Sequence, residues 1–385
     1  MNPQIPIYLD YAATTPVDER VLAVMQAYWN DAFGNPSSIH QNGQRAEAAL
    51  DQSRRDIAAC LHALPEEVIF TSGGTESDNL ALRGTAFARR AATGADTLVI
   101  SPVEHPAVSQ TARQLAGHFG FRLVILPVDS CGLVNPQDVA RVVDEKTALV
   151  SIIYANNEIG SINPIREIGA ICRERGIPFH SDAVQAAAHL PLDFSNDLVD
   201  LLSLGAHKFY GPKGVGALLA RTGTPLWNMQ TGGGQEAGRR AGTENIPYIT
   251  GMASALKIVC NEGPQRGQQL TALRDHLIAG VLNSIPCSRL TGHPSARLPN
   301  HASFALQGVN GNVLLMALDQ HGFACSSGSA CRVGTPKPSE VLLAAGYSKN
   351  WALGSLRITL GQGSTPEHVE RLLNVLPRLV EKARS

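Results

Sequence analysis

Residues 202–216 read LSLGAHKFYGPKGVG, an apolar run that ends at a histidine and a lysine and then turns through Gly-Pro-Lys-Gly. The apolar run predicts a buried strand, and the Gly-Pro turn predicts its end before another strand at 216–220. Lys208 is therefore expected beside His207 at a strand end. Most lysines are solvated surface residues, but an amine held partly out of water at such a point is suited to covalent attack on an aldehyde.

Outward from this stretch, strand-like and helical segments alternate along the chain. Strands are predicted at 97–101, 121–126, 148–154, 178–181, 198–204 and 216–220, with helices between most of them, such as 107–119 and 165–175. This alternation is typical of an α/β architecture with a mostly parallel sheet. Ligands of such sheets bind at the carboxyl ends of the strands. The polar residues at those ends are therefore the candidate site residues.

Several chemically distinct residues follow the predicted strands, and each alone is an ordinary cap or loop residue. They are Thr75, His105, Asn157, Asp182, Gln185, His207 and Lys208. Together they offer an acid for a pyridine nitrogen, an amine for an aldehyde carbon, a flat ring for stacking and a phosphate cradle. These are the groups that pyridoxal phosphate (PLP) requires of a protein.

The expected phosphate cradle is the stretch VIFTSGGTESDN at residues 68–79, where a strand ends in two glycines before a helix. A helix N-terminus offers free N–H groups and the positive end of a dipole, and glycines let the backbone approach a phosphate closely. The stretch contains neither GKS/GKT nor GxGxxG. Taken alone, it is also compatible with an ordinary strand-to-helix turn.

The two ends of the chain predict a smaller α+β lobe. Helices are expected at 268–283 and 366–383, with strands at 302–306 and 355–360. The predicted large domain is 15–258, and the small domain combines 1–14 with 259–385. Near the N-terminus, Thr15 is a plausible N-cap with Pro16 at the first position of a helix that runs to Trp29, and another helix is expected at 45–61.

Residues 323–338, FACSSGSACRVGTPKP, combine small and polar residues with glycine and proline. Such a segment is expected to be mobile, and a cysteine next to an arginine in it is a candidate nucleophile. Cys331, beside Arg332, fits this description. The spacing of Cys325 and Cys331 does not match a zinc pair. A regulatory disulfide between them remains an alternative.

The bulk composition is that of a packed globular protein, with 385 residues, 44% hydrophobic and 17% charged. A formal net charge of −1 gives no field that favours nucleic acid or an anionic membrane surface. Seven cysteines scattered over a long chain favour a reducing compartment. Without a signal-like N-terminus or an apolar stretch of membrane-spanning length, a cytoplasmic protein is expected.

The chain resembles the cysteine desulfurases, the NifS/IscS-like group of the class V aminotransferase family. This resemblance implies an α/β fold-type I PLP-dependent transferase, aspartate aminotransferase-like, with a mostly parallel central sheet. Ser-Ser-Gly-Ser-Ala-Cys is the most specific of the matching motifs. They are LDYAATTP (9–16), FGNPSS (33–38), TSGGTESDN (71–79), EH (104–105), NNE (156–158), DAVQ (182–185), HK (207–208), RAGT (240–243), SSGSAC (326–331) and Arg357.

The resemblance also implies roles for individual residues. Lys208 would bind the aldehyde carbon of PLP and move protons, His105 would stack on the ring, and Asp182 would pair with the ring nitrogen. Cys331 would attack the sulfur of L-cysteine and carry it as a persulfide. The other implied contacts are Gly74, Thr75, Asn157, Gln185, His207 and a partner subunit's Thr243 for the cofactor, and Arg357, Asn157 and Asn35 for the substrate.

The same resemblance implies a homodimer that hands sulfur to an acceptor protein, such as an iron–sulfur scaffold or a tRNA-thiolation protein. Two alternatives stay open: a related PLP lyase acting on selenocysteine or cystine, and a non-catalytic scaffold with the same fold. The chain departs from the family pattern at Gly205, where a hydroxyl residue is common, and at Arg332-Val333, where Thr-Ser is common. Cys325 often has an aliphatic counterpart.

Overall fold

The predicted alternation of strands and helices recurs in the computed structural model, which describes residues 6–328 and 337–384. The strands are β1 Ile7–Tyr8, β2 Val68–Thr71, β3 Thr97–Ile100, β4 Arg122–Ile125, β5 Thr147–Ser151, β6 Phe179–Asp182, β7 Leu201–Gly205, β8 Gly216–Ala220, β9 Ser288–Leu290, β10 His301–Leu306, β11 Phe323–Ala324 and β12 Ser355–Thr359. The helices are α1 Glu19–Asn30, α2 Gln41–Cys60, α3 Gly74–Asn79, α4 Thr85–Thr93, α5 Pro106–Phe119, α6 Pro136–Val142, α7 Ile165–Glu174, α8 Ile246–Ser284, α9 Gly311–Gln320, α10 Glu340–Ala344, α11 Lys349–Ala352 and α12 Pro366–Arg384.

The central sheet has seven strands in the order β2-β8-β7-β6-β5-β3-β4. Strand β8 runs antiparallel to both of its neighbours, and the other pairs are parallel. The strands between the edge strand β4 and β2 are buried along their whole length, as expected when helices cover both faces of a sheet. The carboxyl ends of the parallel strands therefore meet at one edge.

The helices that follow these strands begin where local chemistry favours a start. Pro106 occupies the first position of α5, where its missing N–H costs no hydrogen bond, and the His105 side chain accepts from Ala107 N at 3.1 Å. Helices α3 and α4 are joined through one π-helical turn at Leu80–Gly84, so that a continuous helix follows β2. Both helix N-termini point at the same sheet edge.

Helix α1 begins later than the sequence predicts. It starts at Glu19 with Asp18 as its N-cap, and not at Pro16. Thr15 does not cap a helix because its hydroxyl donates to the carbonyl of His207 at 3.0 Å and accepts from the N–H of Tyr210 at 2.8 Å. A long-range contact with the Lys208 segment therefore replaces the predicted local cap.

Helix α8 is much longer than the predicted helix at 268–283. Its buried residues face two apolar cores in succession: Ile246, Met252 and Val259 face the core under the central sheet, while Leu277 and its neighbours face the core of the smaller lobe. Because the buried face changes along the helix, no single periodicity runs through it. The helix also passes the predicted boundary at 258 without a break.

The smaller lobe contains the antiparallel sheet β12-β10-β9, with α9 and α12 packed in its core. Strand β1 pairs in parallel with β11, and Asp10 bridges to Thr359, so the N-terminal strand joins this lobe. Within residues 6–328 and 337–384, no helix is both long and apolar enough to cross a membrane. The division at 15–258 remains a prediction.

Candidate active site

A cavity of about 560 Å³ lies at the carboxyl edge of the central sheet. Most of the predicted site residues line it, namely Gly74, Thr75, His105, Asn157, Asp182, Gln185, His207, Lys208 and Arg357. Asn35 and Thr243 are exposed and do not belong to its wall in this chain. Cys331 lies outside the described residues. The fold thus brings together residues from five strand ends and from the smaller lobe.

Lys208 ends a short turn directly after β7. Its Nζ donates to the carbonyl oxygens of Ala12 at 2.6 Å and Ala13 at 2.8 Å. Burial, followed by the nearby positive charge of Arg357, lowers the pKa of Lys208 to about 8. A large share of the amine is therefore neutral and nucleophilic at mildly basic pH, as covalent chemistry with an aldehyde requires.

Asp182, the last residue of β6, is buried and accepts the N–H of Val184 at 2.9 Å. Burial raises the pKa of Asp182, while His105, the Val184 N–H and Lys208 act in the opposite direction. Burial lowers the pKa of His105, which favours the neutral ring that stacking on an aromatic cofactor needs. These two side chains lie near each other in the cavity.

The glycine-rich start of α3 forms one end of the cavity. A Cβ added to Gly74 would lie 2.6 Å from Cγ2 of Val184, so only glycine fits there with the present packing. Gly74, Thr75 and Glu76, the first residues of the continuous helix at 74–93, line the cavity together with His207. Burial lowers the pKa of His207 to about 4, and its ring contacts Thr14 Oγ1 at 3.2 Å. A helix N-terminus with neutral donors suits a phosphate group.

Arg357 of β12 closes the opposite side of the cavity. Its guanidinium donates to the Asn157 carbonyl and to Oδ1 of Asp10, each at 2.9 Å. The buried Nε has no hydrogen-bond partner among the described residues. A buried guanidinium with a donor to spare is a binding group for an anionic substrate, above all a carboxylate.

Asp10 and Asp78 are two further residues at the cavity that the sequence alone did not indicate. Asp10 positions Arg357 from within the LDYAATTP stretch, and Asp78 lines the cavity from α3. Both lie inside motifs already singled out, which was the available signal. Gln185, predicted to contact the cofactor, donates its amide to the Ala12 carbonyl at 2.8 Å. That bond fixes the same N-terminal turn that Lys208 contacts.

Residues 7–372 match the sequence profile of the family described as Aminotransferase class-V. The chain belongs to this family. Among curated proteins, this class-V aminotransferase family member is 44% identical to "Cysteine desulfurase IscS" of Methanosarcina thermophila, with 98% of this chain and 93% of the relative aligned. It is 42% identical to "Cysteine desulfurase IscS" of Clostridium botulinum (strain Hall), with 100% and 96% aligned.

Solved structures give the same result for the fold. A "NIFS-LIKE PROTEIN" superimposes with a TM-score of 0.91 at 34% identity, covering 98% of this chain and 100% of that one. A NifS-like protein from Rickettsia africae gives a TM-score of 0.87 at 28% identity, covering 98% and 99%. The predicted fold-type I architecture and the predicted enzyme class, a PLP-dependent cysteine desulfurase, are thereby confirmed.

The geometry of the cavity fits PLP. Close packing against Val184 leaves room only for glycine at the phosphate end, the buried Asp182 carboxylate offers a partner for a ring nitrogen, and the Lys208 amine has a lowered pKa. These groups come from different strands and lie in one cavity.

Proposed function

We propose that this enzyme converts L-cysteine to L-alanine and leaves the sulfur on Cys331 as a persulfide, for delivery to an acceptor in iron–sulfur cluster or other sulfur biosynthesis. The observation that carries the proposal is the shared cavity of Lys208 and Arg357. One offers an amine with a lowered pKa, and the other offers a guanidinium Nε that has no hydrogen-bond partner among the described residues. An amino-acid substrate needs both groups: the Lys208 amine would act at its Cα, and the Arg357 guanidinium would bind its carboxylate.

The hydrogen bonds of the Arg357 guanidinium indicate how the substrate carboxylate would be bound. Two of its nitrogens donate to Asp10 and Asn157, which orients the guanidinium, and its Nε has no hydrogen-bond partner in the described part of the chain, which leaves this donor for a carboxylate. In this arrangement Asn157 positions Arg357 through its backbone carbonyl. The solved structure titled "SspA in complex with cysteine", 35% identical to this chain with a TM-score of 0.80, supports L-cysteine as the substrate.

When bound, PLP supplies an electron sink for the bonds broken at the substrate Cα and Cβ. Lys208 Nζ takes the proton from Cα and returns a proton later. Asp182 remains negative toward the ring nitrogen, and His105 covers the ring face. The Cys331 thiolate attacks the substrate sulfur, so an S–S bond forms as the C–S bond breaks, and the carbon fragment gains a proton and leaves as alanine. No external oxidant or reductant enters this balance.

We propose that the enzyme works as a cytoplasmic homodimer. Large apolar side chains are exposed on the chain, two of them close in sequence to Asn35: Phe33 is 67% exposed and Ile39 94%, and Trp227 is 51% exposed. Exposed apolar side chains on this scale favour contact with a second protein surface. A second copy of the chain there would cover them and bring its Thr243 toward the phosphate end of the first.

The deciding experiment incubates PLP-loaded protein with L-cysteine and quantifies alanine together with protein-bound persulfide. Wild type should give both, and Cys331→Ala should give neither. Cys325→Ala is the matched control, because burial raises the pKa of the Cys325 thiol and makes it a poor nucleophile. If Cys331→Ala still makes alanine at the wild-type rate, a lyase acting on selenocysteine or cystine becomes the better assignment.

A further inference from the structure

A second buried acid shares the cavity with Asp182. Asp78 of α3 is 1% exposed, and its Oδ1 makes no hydrogen bond within the described part of the chain. One oxygen of Asp78, one of Asp182 and one ring nitrogen of His105 all lie within 4.8 Å of one another. The proposed mechanism assigns roles to Asp182 and His105, but it assigns no role to Asp78.

Two carboxyl groups that are this close and both buried cannot both be ionised at moderate cost, because each charge opposes the other and neither is well solvated. The pair therefore holds a proton at neutral pH. Which carboxyl group carries that proton depends on the groups that surround each of them, and here the two surroundings differ.

The surroundings of Asp182 favour its charged form. It accepts the Val184 N–H, and His105 and Lys208 both lower its pKa against the effect of burial. A backbone N–H bonded to a carboxylate stabilises the ionised form, and His105 and Lys208 favour that form as well. Asp182 is therefore the member of the pair that keeps the negative charge.

The surroundings of Asp78 favour its neutral form. Burial, Asp182 and then Glu104 raise its pKa well above the usual value, and only a hydrogen bond with Ser203 opposes them. His180, 3.5 Å from Asp78 Oδ1, offers no positive charge, since burial lowers the pKa of this histidine to about 3. Its two ring nitrogens are engaged by the hydroxyls of Ser151 at 2.8 Å and Ser203 at 2.9 Å.

We propose that Asp78 is a positioning residue that holds the proton of this acid pair and so leaves Asp182 ionised toward the ring nitrogen of bound PLP. The inference rests on the assignment of PLP to this cavity and concerns the residues that receive it. The charged or titratable groups that face Asp78 are Asp182, Glu104, His105 and His180. The role of Asp78 can be tested by thermal stability and PLP binding alone, without measuring the desulfuration of cysteine.

The first test compares thermal stability against pH for wild type and Asp78→Asn, in the full-length protein without cofactor. The pKa of an aspartate in an unfolded chain is about 4. If the pKa of Asp78 is higher in the folded chain, the free energy of unfolding falls as the pH rises above about 4, because the folded chain then binds more protons than the unfolded chain. Asparagine removes this cost, so the Tm gain of the variant should grow to a few degrees by about pH 8 and vanish near about pH 4.

The second test measures PLP affinity and the absorption spectrum of the loaded protein. Asp78→Asn keeps a neutral donor of the same shape and should bind PLP within about twofold of wild type, with an unchanged absorption maximum. Asp78→Ala removes the donor and should bind several-fold more weakly. Asp182→Asn is the contrasting variant, and the loss of a charged hydrogen bond there should weaken binding at least about tenfold and shift the absorption maximum.

Two results would overturn the proposal. A Tm difference between wild type and Asp78→Asn that does not change with pH would mean that no proton is stored on Asp78. A loss of PLP affinity in Asp78→Asn as large as in Asp182→Asn would mean that Asp78 carries the charge. If Asp78→Asn does not fold, Asp78→Ser replaces it in both measurements. Serine offers a neutral hydroxyl donor, as protonated Asp78 would, in a smaller side chain.

Discussion

At the scale of single residues, the site owes its chemistry to burial acting in opposite directions on different groups. Removal from water lowers the pKa of Lys208 to about 8 and that of His207 to about 4, and it raises the pKa of Asp182. In each case burial disfavours the charged form. The lysine gains nucleophilicity, and the histidine becomes a neutral hydrogen-bonding group beside the expected phosphate.

Gly205 stands where the resemblance implies a hydroxyl residue near the proposed phosphate end of the cavity, and the structure has room for a side chain there. A Cβ on Gly205 would lie 3.4 Å from the Gly74 N and 3.4 Å from Val184 Cγ1, both ordinary contacts, and the backbone is extended with φ −139°. We expect Gly205→Ser to bind PLP about tenfold more tightly through one added hydrogen bond to a charged phosphate. Gly205→Ala, with the same Cβ and no hydroxyl, should bind as wild type in an equilibrium titration; an equal gain in both variants would refute the hydrogen bond.

The pH dependence of cofactor attachment tests the environment of Lys208. Since only the neutral amine attacks, the rate of attachment to the apoprotein should rise with pH and level off above about pH 8, the pKa of this lysine. Arg357 lowers that pKa, so Arg357→Met should move the midpoint to higher pH. Stopped-flow absorbance would record both profiles.

Lys213→Met is the matched control for this measurement, because Lys213 also lines the cavity but acts on His207 and not on Lys208. Its midpoint should stay at the wild-type value. An unmoved midpoint in Arg357→Met would contradict the predicted coupling between the arginine and the lysine.

At the scale of elements, the segment that contains Cys331 is flanked by two described anchor points that meet at Glu158. Ser339, the N-cap of α10, donates its hydroxyl to Glu158 Oε2 at 2.6 Å. On the other side, a Cβ added to Gly328 would lie 2.6 Å from the same oxygen. Burial raises the pKa of Glu158 to about 7, with Ser339 acting against it. One carboxyl group thus lies against both flanks of the segment that contains the proposed nucleophile, Cys331.

Loss of this anchor should impair sulfur transfer and leave cofactor binding intact. We expect Glu158→Ala to reduce persulfide on Cys331 on the order of tenfold, the cost of a lost charged hydrogen bond, with PLP affinity unchanged. Glu158→Gln keeps an acceptor and should lose less. The control is Glu340→Ala, an exposed acid on α10. Equal persulfide yields in all three variants would rule out the anchoring role.

At the scale of the whole molecule, the cavity forms where the two sheets approach each other. Lys208 and Asp182 come from the central sheet, whereas Arg357 comes from β12 of the smaller sheet and is held by Asp10 at 2.9 Å. Thr243 is exposed and absent from the cavity wall of its own chain. The structure of one chain therefore contains most of the proposed site, and the proposed homodimer would supply the rest.

Subunit mixing tests whether Thr243 completes the site of the other subunit. Homodimers of Lys208→Ala and of Thr243→Ala should each bind PLP poorly or lack activity. A co-expressed heterodimer should contain one intact site, with Lys208 from one chain and Thr243 from the other, and should recover up to about half of the wild-type activity per dimer. No recovery in purified heterodimers would show that Thr243 acts within its own chain, and a fully active Thr243→Ala homodimer would show that Thr243 has no part in the site.

Hydrophobic patterning along the chain determined most elements of the central sheet. Strand β8 matches its prediction at both ends, and β3, β6, α5 and α12 differ from theirs by a residue or two, because apolar periodicity and Gly or Pro at element ends are local properties. The residues around Lys208 likewise predicted a PLP site, since alternation of strands and helices brings the carboxyl ends of parallel strands to one edge.

Only the tertiary structure decided features that depend on residues far apart in sequence. Thr15 does not cap a helix as predicted, because its hydroxyl is bonded to His207 and Tyr210 instead. Helix α8 is longer than predicted because it packs against two apolar cores in succession, and its hydrophobic residues therefore follow no single period. The pairing of Asp78 with Asp182 arises because α3 begins at the sheet edge at which β6 ends. The pKa of a carboxyl group depends on which charges and dipoles fold around it, so the sequence determined the presence of both acids, and only the packing could assign the proton between them.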